Sequence, residues 1–312
     1  LGYVLTSVLF VFCFLLLPIP YFHMSNKQFL ELADVPVIVH PPVNPDLPAP
    51  LIILWHGFGI PNSEELLAEV LPLQEVQAWK AYLGLPGFGK RLPEGGIDEI
   101  ERRQMEDYVL KLLLPTSEQA MQELANVVEA LQEKFPIDNK KGISLFGFSA
   151  GGITALLTLL ESSLPIKTIV LAGVTNNLVS AVDAYERGTK YHYPELTEEQ
   201  IKYRWSKVSE IAKKRLDFVA RASEIVKRQP IPAMLFVHGC QDEVFSVNQI
   251  EELYTAIAPY YQQANQQERL SLKTFEYLGH QLDLETAKKS PELQKDIAEL
   301  QKVIADWFSQ NF

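Results

Sequence analysis

The sequence predicts an α/β fold in which helices cover both faces of a mostly parallel sheet. From residue 35 onward, short apolar runs of strand length alternate with longer amphipathic runs of helix length, and this alternation is typical of parallel sheets. The chain has 312 residues, a length that one α/β domain with an insertion can fill. Hydrophobic residues make up 47% of it and charged residues 21%, so a large core can form.

The first elements can be placed in order along the chain. Two strands, "VPVIVHPP" and "APLIILWHG", flank a proline-rich stretch from Pro41 to Pro50 that cannot pair in the middle of a sheet. "QAWKAYLGLPG" is a third strand. The clearest helix is "TSEQAMQELANVVEALQEKF", where Thr116 is expected to be the N-cap and Gln119 to complete a capping box. Apolar residues at helical spacing predict a stripe that faces the sheet: Ala120, Leu124, Val127, Val128 and Leu131.

The second half of the chain continues the alternation. We predict strands at "ISLFG", "KTIVLAGV", "PAMLFVHG" and "SLKTFEYLG", and helices at "ITALLTLLES", "NQIEELYTAIAPY" and "ELQKDIAELQKVIADWF". The closing helix has one apolar face: Leu293, Ile297, Leu300, Ile304 and Trp307. Residues 175–229 interrupt the pattern, and this charged, tyrosine-rich stretch is too long for a plain crossover. It predicts an inserted helical cap over one edge of the sheet.

Charge and cysteine content exclude several classes of protein. The 39 acidic residues outnumber the 28 basic ones, which gives a formal net charge of −11, and such a field repels nucleic-acid backbones. The two cysteines, Cys13 and Cys240, are far apart and form neither a disulfide framework nor a Cys-x-x-Cys metal pair. We therefore expect no nucleic-acid partner and no zinc.

The first 23 residues are apolar and stand apart from the rest. "LGYVLTSVLFVFCFLLL" approaches the length of a membrane span, yet no positive region precedes it as in a signal peptide. Three interpretations stay open: a segment upstream of a natural start at Met24, a membrane anchor or signal remnant, and a buried helix of the fold. The first predicts a cytoplasmic protein of residues 24–312, and the second a membrane-anchored or exported one.

"GFSAG" places Ser149 between two glycines at the junction of a predicted strand and a predicted helix. Amide groups at a helix N-terminus carry partial positive charge, so a side chain at such a junction faces a site suited to developing negative charge. Gly147 and Gly151 allow the sharp turn and the close packing that it needs. The pattern is that of a nucleophile elbow, and Ser149 is the predicted nucleophile.

A serine nucleophile needs a base, and the base needs an orienting acid. His280, in "YLGHQLD", follows a predicted strand late in the chain and is the expected base. Asp242, in "HGCQDEV", directly follows another strand, where sites of open parallel sheets form, and is the expected acid. Asp283 is interpreted as a helix N-cap, while His56 and the other strand-end histidine, His238, are expected to shape loops through local hydrogen bonds.

The glycines of "LWHGFG" leave the backbone free to direct an amide toward the nucleophile. We expect the N–H groups of Phe58 and Ala150 to form an oxyanion hole. In the predicted cap, five aromatic side chains are candidates to line a substrate pocket, with a small core of the cap as the alternative: Tyr185, Tyr191, Tyr193, Tyr203 and Trp205.

Taken together, these motifs resemble the α/β-hydrolase serine esterases of the dienelactone hydrolase and prolyl-oligopeptidase-like group. The resemblance runs from about Val35 to the C-terminus, except for the cap, and rests on "HGFG", "YLGLPGFGK", "GFSAGG", "HGCQDEV" and the Gly-His pair at 279 and 280. Where the group usually has an Asp in the loop after the fourth strand, this chain has Leu85 or a neighbour. The chain order Ser149, Asp242, His280 is the order of that fold.

The resemblance implies a serine hydrolase that cleaves small carboxylic esters through an acyl-enzyme. It implies no cofactor and no metal. A prolyl-oligopeptidase-like peptidase, which usually carries a large accessory domain, or a thioesterase is the alternative of the same class. An inert hydrolase fold that only binds its ligand is the alternative of another class. The oligomeric state stays open.

Overall fold

The computed structural model describes residues 27–312, so the interpretations of residues 1–23 and of a start at Met24 lie outside the described residues. Eight strands of the described part form one sheet in the order β1-β2-β4-β3-β5-β6-β7-β8. The strands are β1 (Gln28–Leu32), β2 (Val35–His40), β3 (Leu51–Trp55), β4 (Trp79–Leu83), β5 (Ile143–Phe148), β6 (Ile166–Ala172), β7 (Ala233–Gly239) and β8 (Leu270–Phe275). Strands β3 to β8 are parallel, while β1 and β2 run antiparallel to their neighbours.

Helices connect these strands and cover the sheet. They are α1 (Glu64–Val70), α2 (Gly96–Asp107), α3 (Leu114–Lys134), α4 (Ala150–Glu161), α5 (Leu178–His192), α6 (Glu198–Ile201), α7 (Lys207–Arg215), α8 (Ala222–Ile225), α9 (Val247–Gln263), α10 (Leu284–Ala287) and α11 (Pro291–Gln310). None of the helices formed by residues 27–312 is long and apolar enough to cross a membrane.

The core lies on both faces of the sheet because strand side chains alternate. In β3, Leu51, Ile53 and Trp55 join one apolar cluster, whereas Ile52 and Leu54 join the other. Helices α3, α4 and α9 complete the first cluster, and α1 and α11 complete the second. All five residues of β3 are buried, as expected for a central parallel strand. The predicted α/β-hydrolase fold, with helices on both faces, is confirmed.

The start of α3 differs from the prediction. Residues Tyr108–Leu113 form a π-helical turn that begins after an extended Asp107, whose side chain accepts from the Leu110 amide, and runs directly into α3. Thr116 therefore lies inside the helix rather than at its N-cap. The Thr116 hydroxyl donates to the carbonyl of Pro86 over 3.3 Å, and Gln119 donates to Glu123 instead of closing a capping box. The stripe predicted from Ala120 to Leu131 is buried.

Two further differences concern the chain ends of the domain. Strand β1 was not predicted, because its burial is low and its alternation weak on the outer edge of the sheet. In α11, Phe308 is buried where Trp307 was expected to face the core, and Trp307 is only half-buried.

Asp283 accepts hydrogen bonds from the Glu285 amide and the Thr286 hydroxyl, so its N-cap interpretation is confirmed.

Helices α5 to α8 lie between β6 and β7, within the stretch predicted as an insertion. They contact the π-helical turn, α4 and α9 rather than extending the sheet. Arg187 of α5 donates to the carbonyl of Val244 over 2.7 Å, and Asn176 donates to Glu252 of α9. The inserted helices therefore lie against the loop that follows β7.

Candidate active site

Ser149 occupies the turn between β5 and α4 in a strained conformation. Its φ of 52° and ψ of −117° place a non-glycine residue at positive φ, which is rare and costs free energy unless the surroundings enforce it. A Cβ at Gly147 would lie 2.3 Å from the Gly151 carbonyl oxygen, and a Cβ at Gly151 would lie 2.4 Å from the His56 carbonyl oxygen. The close packing predicted for these two glycines is confirmed.

The predicted base and acid lie next to Ser149. The Nε2 atom of His280 is 3.0 Å from the Ser149 Oγ, and its Nδ1 is 2.8 Å from the Asp242 Oδ2. A carboxylate beside Nδ1 favours the proton on that nitrogen and leaves Nε2 free to accept from the serine hydroxyl. Loops after β5, β7 and β8 thus bring together three side chains that are distant in sequence.

Phe245 contacts both the predicted acid and the predicted base, and sequence reasoning missed it. Its amide, together with that of Val244, donates to the Asp242 Oδ1 over 2.8 Å. Its ring packs edge-on against the His280 imidazole at 5.4 Å. The only signal in the sequence is the apolar pair Val244 and Phe245 just after the aspartate, in the loop that follows β7.

His238 shapes the same loop, as predicted. Its Nε2 is 2.9 Å from the Phe245 carbonyl oxygen and 3.6 Å from the Asp242 Oδ2. Burial lowers the pKa of His238, although the nearby carboxylate opposes this shift. A neutral His238 with its proton on Nε2 donates to that carbonyl and so fixes the end of the loop.

The loop after β3 brings Gly57, the neighbour of Phe58, against the predicted nucleophile. A Cβ at Gly57 would lie 2.9 Å from the Ser149 Cβ, so the Gly57 backbone touches the nucleophile turn. Within residues 27–312, neither the Phe58 nor the Ala150 amide donates to a protein acceptor. The Phe58 ring stacks on Phe88 with centroids 4.4 Å apart. The described structure therefore leaves both amides without a protein acceptor beside the Ser149 turn.

His56 forms the local hydrogen bonds expected of it. Its Nε2 accepts from the Leu85 amide over 3.0 Å, and its Nδ1 is 2.7 Å from the Gly57 carbonyl oxygen. The side chain is fully buried, and burial lowers its pKa to about 4.

The five aromatic candidates of the inserted helices separate into two groups. Tyr203 packs edge-on against Trp205 and donates to Asp107, and Tyr185 stacks on Tyr108 of the π-helical turn at 4.6 Å. A cavity of about 210 Å³ is lined by Tyr108, Tyr185 and Tyr203, together with residues of α2 and α6. The other two, Tyr191 and Tyr193, are exposed. The structure does not bring the five side chains into one wall.

The described part of the chain contains no candidate metal site. Between residues 27 and 312, no three His, Cys, Asp or Glu side chains are arranged to hold a metal ion.

The sequence was compared with models of known protein families. Residues 106–312, about two thirds of the chain, match the model of the prolyl oligopeptidase family. The chain belongs to this family. It is accordingly a serine hydrolase of the α/β-hydrolase class. No curated protein sequence matches the chain.

Solved structures share the fold at low sequence identity. TT1662 from Thermus thermophilus is 17% identical with a TM-score of 0.58, and the match covers 88% of this chain and 98% of that protein. Carboxyl esterase 2 from the fungus Tuber melanosporum is 18% identical with a TM-score of 0.59, over 91% and 86% of the two chains.

A third neighbour is a peptidase. Acylaminoacyl peptidase from Pyrococcus horikoshii is 15% identical with a TM-score of 0.58, and the match covers 92% of this chain. It covers only 42% of the peptidase, so this chain spans less than half of that protein's length. Esterases and peptidases thus both share the fold.

Proposed function

We propose that this member of the prolyl oligopeptidase family hydrolyses small carboxylic esters, with Ser149 as nucleophile, His280 as base and Asp242 as orienting acid. One observation carries the proposal: His280 lies within hydrogen-bonding distance of both Ser149 and Asp242, at 3.0 and 2.8 Å, one at each ring nitrogen. This is the geometry that proton transfer from the serine hydroxyl needs.

In the proposed first step, the Ser149 Oγ attacks the ester carbonyl carbon while the His280 Nε2 takes the hydroxyl proton. Asp242 stabilises the resulting imidazolium and holds its ring in place. The oxygen of the tetrahedral intermediate accepts hydrogen bonds from the Phe58 and Ala150 amides, and each such donor contributes about 100-fold to 1,000-fold in rate. His280 then gives its proton to the departing alcohol.

In the proposed second step, water cleaves the acyl-enzyme. His280 removes a proton from the water, whose oxygen attacks the acyl carbon. The same two amides stabilise the second intermediate, and the Ser149 oxygen leaves and recovers its proton from His280. Carboxylic acid is released, and no cofactor takes part in either step.

Two candidate reactions of the same class compete with ester hydrolysis. The family match and the likeness to an acylaminoacyl peptidase favour a peptidase, and the likeness to a carboxyl esterase over 86% of that chain favours an esterase. Thioesters suit the same chemistry. The same two amides and three side chains can cleave esters, thioesters and peptides. We therefore expect the leaving group and the surface above Ser149 to decide which of these substrates is cleaved fastest.

The proposal is tested by comparing p-nitrophenyl esters of increasing acyl length with an acyl-thioester and with N-acetyl-peptide p-nitroanilides. The esters are expected to have the highest kcat/KM. Ser149→Ala and His280→Ala are each expected to lower kcat by about 10⁴-fold or more, because members of such a group act as a unit.

Matched variants show whether the loss is specific. Ser144→Ala removes a buried hydroxyl from the same strand, β5, and His192→Ala removes an exposed imidazole from α5. Both should keep wild-type kinetics, and Ser149→Ala should abolish labelling by a fluorophosphonate while melting within a few degrees of the wild type. Ester cleavage that survives in both Ser149→Ala and His280→Ala would overturn the assignment, and an unlabelled, inactive wild type would favour the inert binding protein.

A further inference from the structure

His56 stands beside the proposed site without a role in the proposed chemistry. It follows β3 directly, is fully buried, and uses both ring nitrogens in contacts with the main chain. A buried imidazole is costly unless its polar atoms are satisfied. Its place beside the nucleophile turn suggests that these contacts serve the site.

The contacts of His56 fix its tautomer. The Leu85 N–H can only donate, so the Nε2 that accepts from it over 3.0 Å carries no proton. In the neutral ring the proton is then on Nδ1, which donates to the Gly57 carbonyl oxygen over 2.7 Å. The burial that lowers the pKa of His56 to about 4 keeps the ring neutral near neutral pH.

Holding the Gly57 carbonyl determines where the next amide points. The described cis peptide bonds are Ile60–Pro61 and Gln229–Pro230, so the peptide between Gly57 and Phe58 is trans. In a planar trans peptide the C=O and N–H groups point in opposite directions. The Phe58 N–H therefore points away from the His56 ring.

The strand order gives the direction of that amide. Strand β3 lies between β4 and β5, and the His56 ring bonds to Leu85, which follows β4. With the Gly57 carbonyl held on the β4 side, the Phe58 N–H is directed to the β5 side, where Ser149 follows the strand. A Cβ at Gly57 would lie only 2.9 Å from the Ser149 Cβ, so the peptide borders the nucleophile.

From this geometry we infer that His56 is a positioning residue of the oxyanion hole, which holds the Gly57–Phe58 peptide so that the Phe58 amide faces the reacting carbonyl oxygen. The Gly57 amide, which belongs to the preceding peptide, donates to the Pro61 carbonyl over 3.1 Å and so holds the other side of Gly57. The inference rests on the proposed function, because it assumes that Ser149 attacks a carbonyl.

Two substitutions separate the two hydrogen bonds of His56. In His56→Asn the amide nitrogen takes the place of Nδ1 and keeps the bond to the Gly57 carbonyl, while the bond from Leu85 is lost. In His56→Gln the side-chain oxygen takes the place of Nε2 and keeps the bond from Leu85, while the donor to Gly57 is lost. His56→Asn is expected to retain kcat within about tenfold, and His56→Gln to lose about 100-fold, the effect of one oxyanion donor.

The measurements distinguish positioning from general stability. For each variant, kcat and KM for p-nitrophenyl butyrate are expressed per active site, with the active sites counted by fluorophosphonate titration. His56→Gln should lower kcat with little change in KM, because the amide acts on the transition state. It should also weaken inhibition by a trifluoromethyl ketone, whose tetrahedral adduct places an oxyanion in the hole, by a similar factor. His40→Gln, at a buried histidine that ends β2, is the matched control and should change neither quantity.

The outcomes separate this inference from the proposed function. If wild-type hydrolysis does not depend on Ser149, both fail. If it does depend on Ser149 but His56→Gln has wild-type kcat per active site, only the role of His56 is overturned. Should His56→Gln not fold, His56→Asn still decides: a 100-fold loss of kcat in that folded variant would contradict the inference, and near-normal kcat with normal ketone inhibition would support it.

Discussion

Replacing Gly239 with alanine should push apart the two loops that carry the proposed acid and base. Gly239 ends β7, three residues before Asp242. A Cβ at this position would lie 2.1 Å from the Leu278 carbonyl oxygen, whereas ordinary contact begins at 3.4 Å. Since Leu278 is only two residues before His280, the backbone that must move is the one that positions the base.

The overlap sets the size of the expected effect. Relieving it needs a shift of about 1 Å, and a misplacement of about 1 Å in a reacting group can lower a rate by about 100-fold. The 2.8 Å bond between the His280 Nδ1 and the Asp242 Oδ2 is the contact that should lengthen. Overpacking of this kind also destabilises a fold by about 1–3 kcal/mol. We therefore expect Gly239→Ala to fold, to melt earlier and to lose about 100-fold in kcat/KM for a p-nitrophenyl ester.

Gly188→Ala is the matched control, because a Cβ at this position in α5 would have no neighbour within 4 Å. It should leave kcat/KM unchanged and raise the free energy of unfolding by about 0.5–1 kcal/mol, the usual gain from replacing a helical glycine. Wild-type kcat/KM in Gly239→Ala would refute the reasoning, since the loops would then tolerate a displacement that the geometry forbids.

Four further predictions concern the acid, the core, pH and the inserted helices. Asp242→Asn should lower kcat less than Ser149→Ala, since it disturbs the tautomer and orientation of the base rather than the nucleophile; an equal loss in steady-state ester assays would contradict this. Leu124→Ala, at a fully buried position of α3, should lower the free energy of unfolding in urea by about 2–5 kcal/mol, and a loss below about 1 kcal/mol would argue against the core described. Because burial lowers the pKa of His56 from 6.5 to about 4, the unfolded chain takes up this proton first as the pH falls. Wild-type stability should therefore decline from pH 6.5 to 4, relative to His56→Asn, by at most about 1.4 kcal/mol per pH unit in urea titrations; parallel curves would exclude a buried neutral ring. Trp205→Ala should change relative kcat/KM among ester chain lengths by roughly 10-fold to 200-fold without loss of fluorophosphonate labelling, and a uniform loss for all esters would assign Trp205 to structure alone.

The parts of the site that follow strands could be predicted from sequence. Ser149, Asp242 and His280 lie in the loops that follow β5, β7 and β8, and carboxyl ends of parallel strands meet at one edge of a sheet. Their distances could not be predicted, because these depend on contacts made by residues with no distinctive pattern. Phe245 is such a residue: its amide, carbonyl and ring touch three different side chains of the site.

The differences between the predicted and the observed fold have local causes. Strand β1 is an edge strand whose side chains are mostly exposed or half-buried, so neither face carries a clear apolar pattern. The predicted N-cap at Thr116 is wrong because a Thr-x-x-Gln sequence is also compatible with a helix interior. The helix instead begins with a π turn at residues 108–113, capped by the Asp107 side chain, and π turns leave no periodic signal that sequence reasoning can use.

Because the proposed base follows a strand at the edge of the sheet, we expect activity only once folding is complete. Ser149 and His280 are 131 residues apart, and His280 follows β8, the last strand of the sheet. The three side chains can meet only after β5, β7 and β8 have paired, and contacts between residues so distant in sequence form slowly. A chain still emerging from the ribosome can thus hold a finished nucleophile turn without its base. Ester hydrolysis in a refolding experiment would accordingly report on the docking of the final strand rather than on the first appearance of helices.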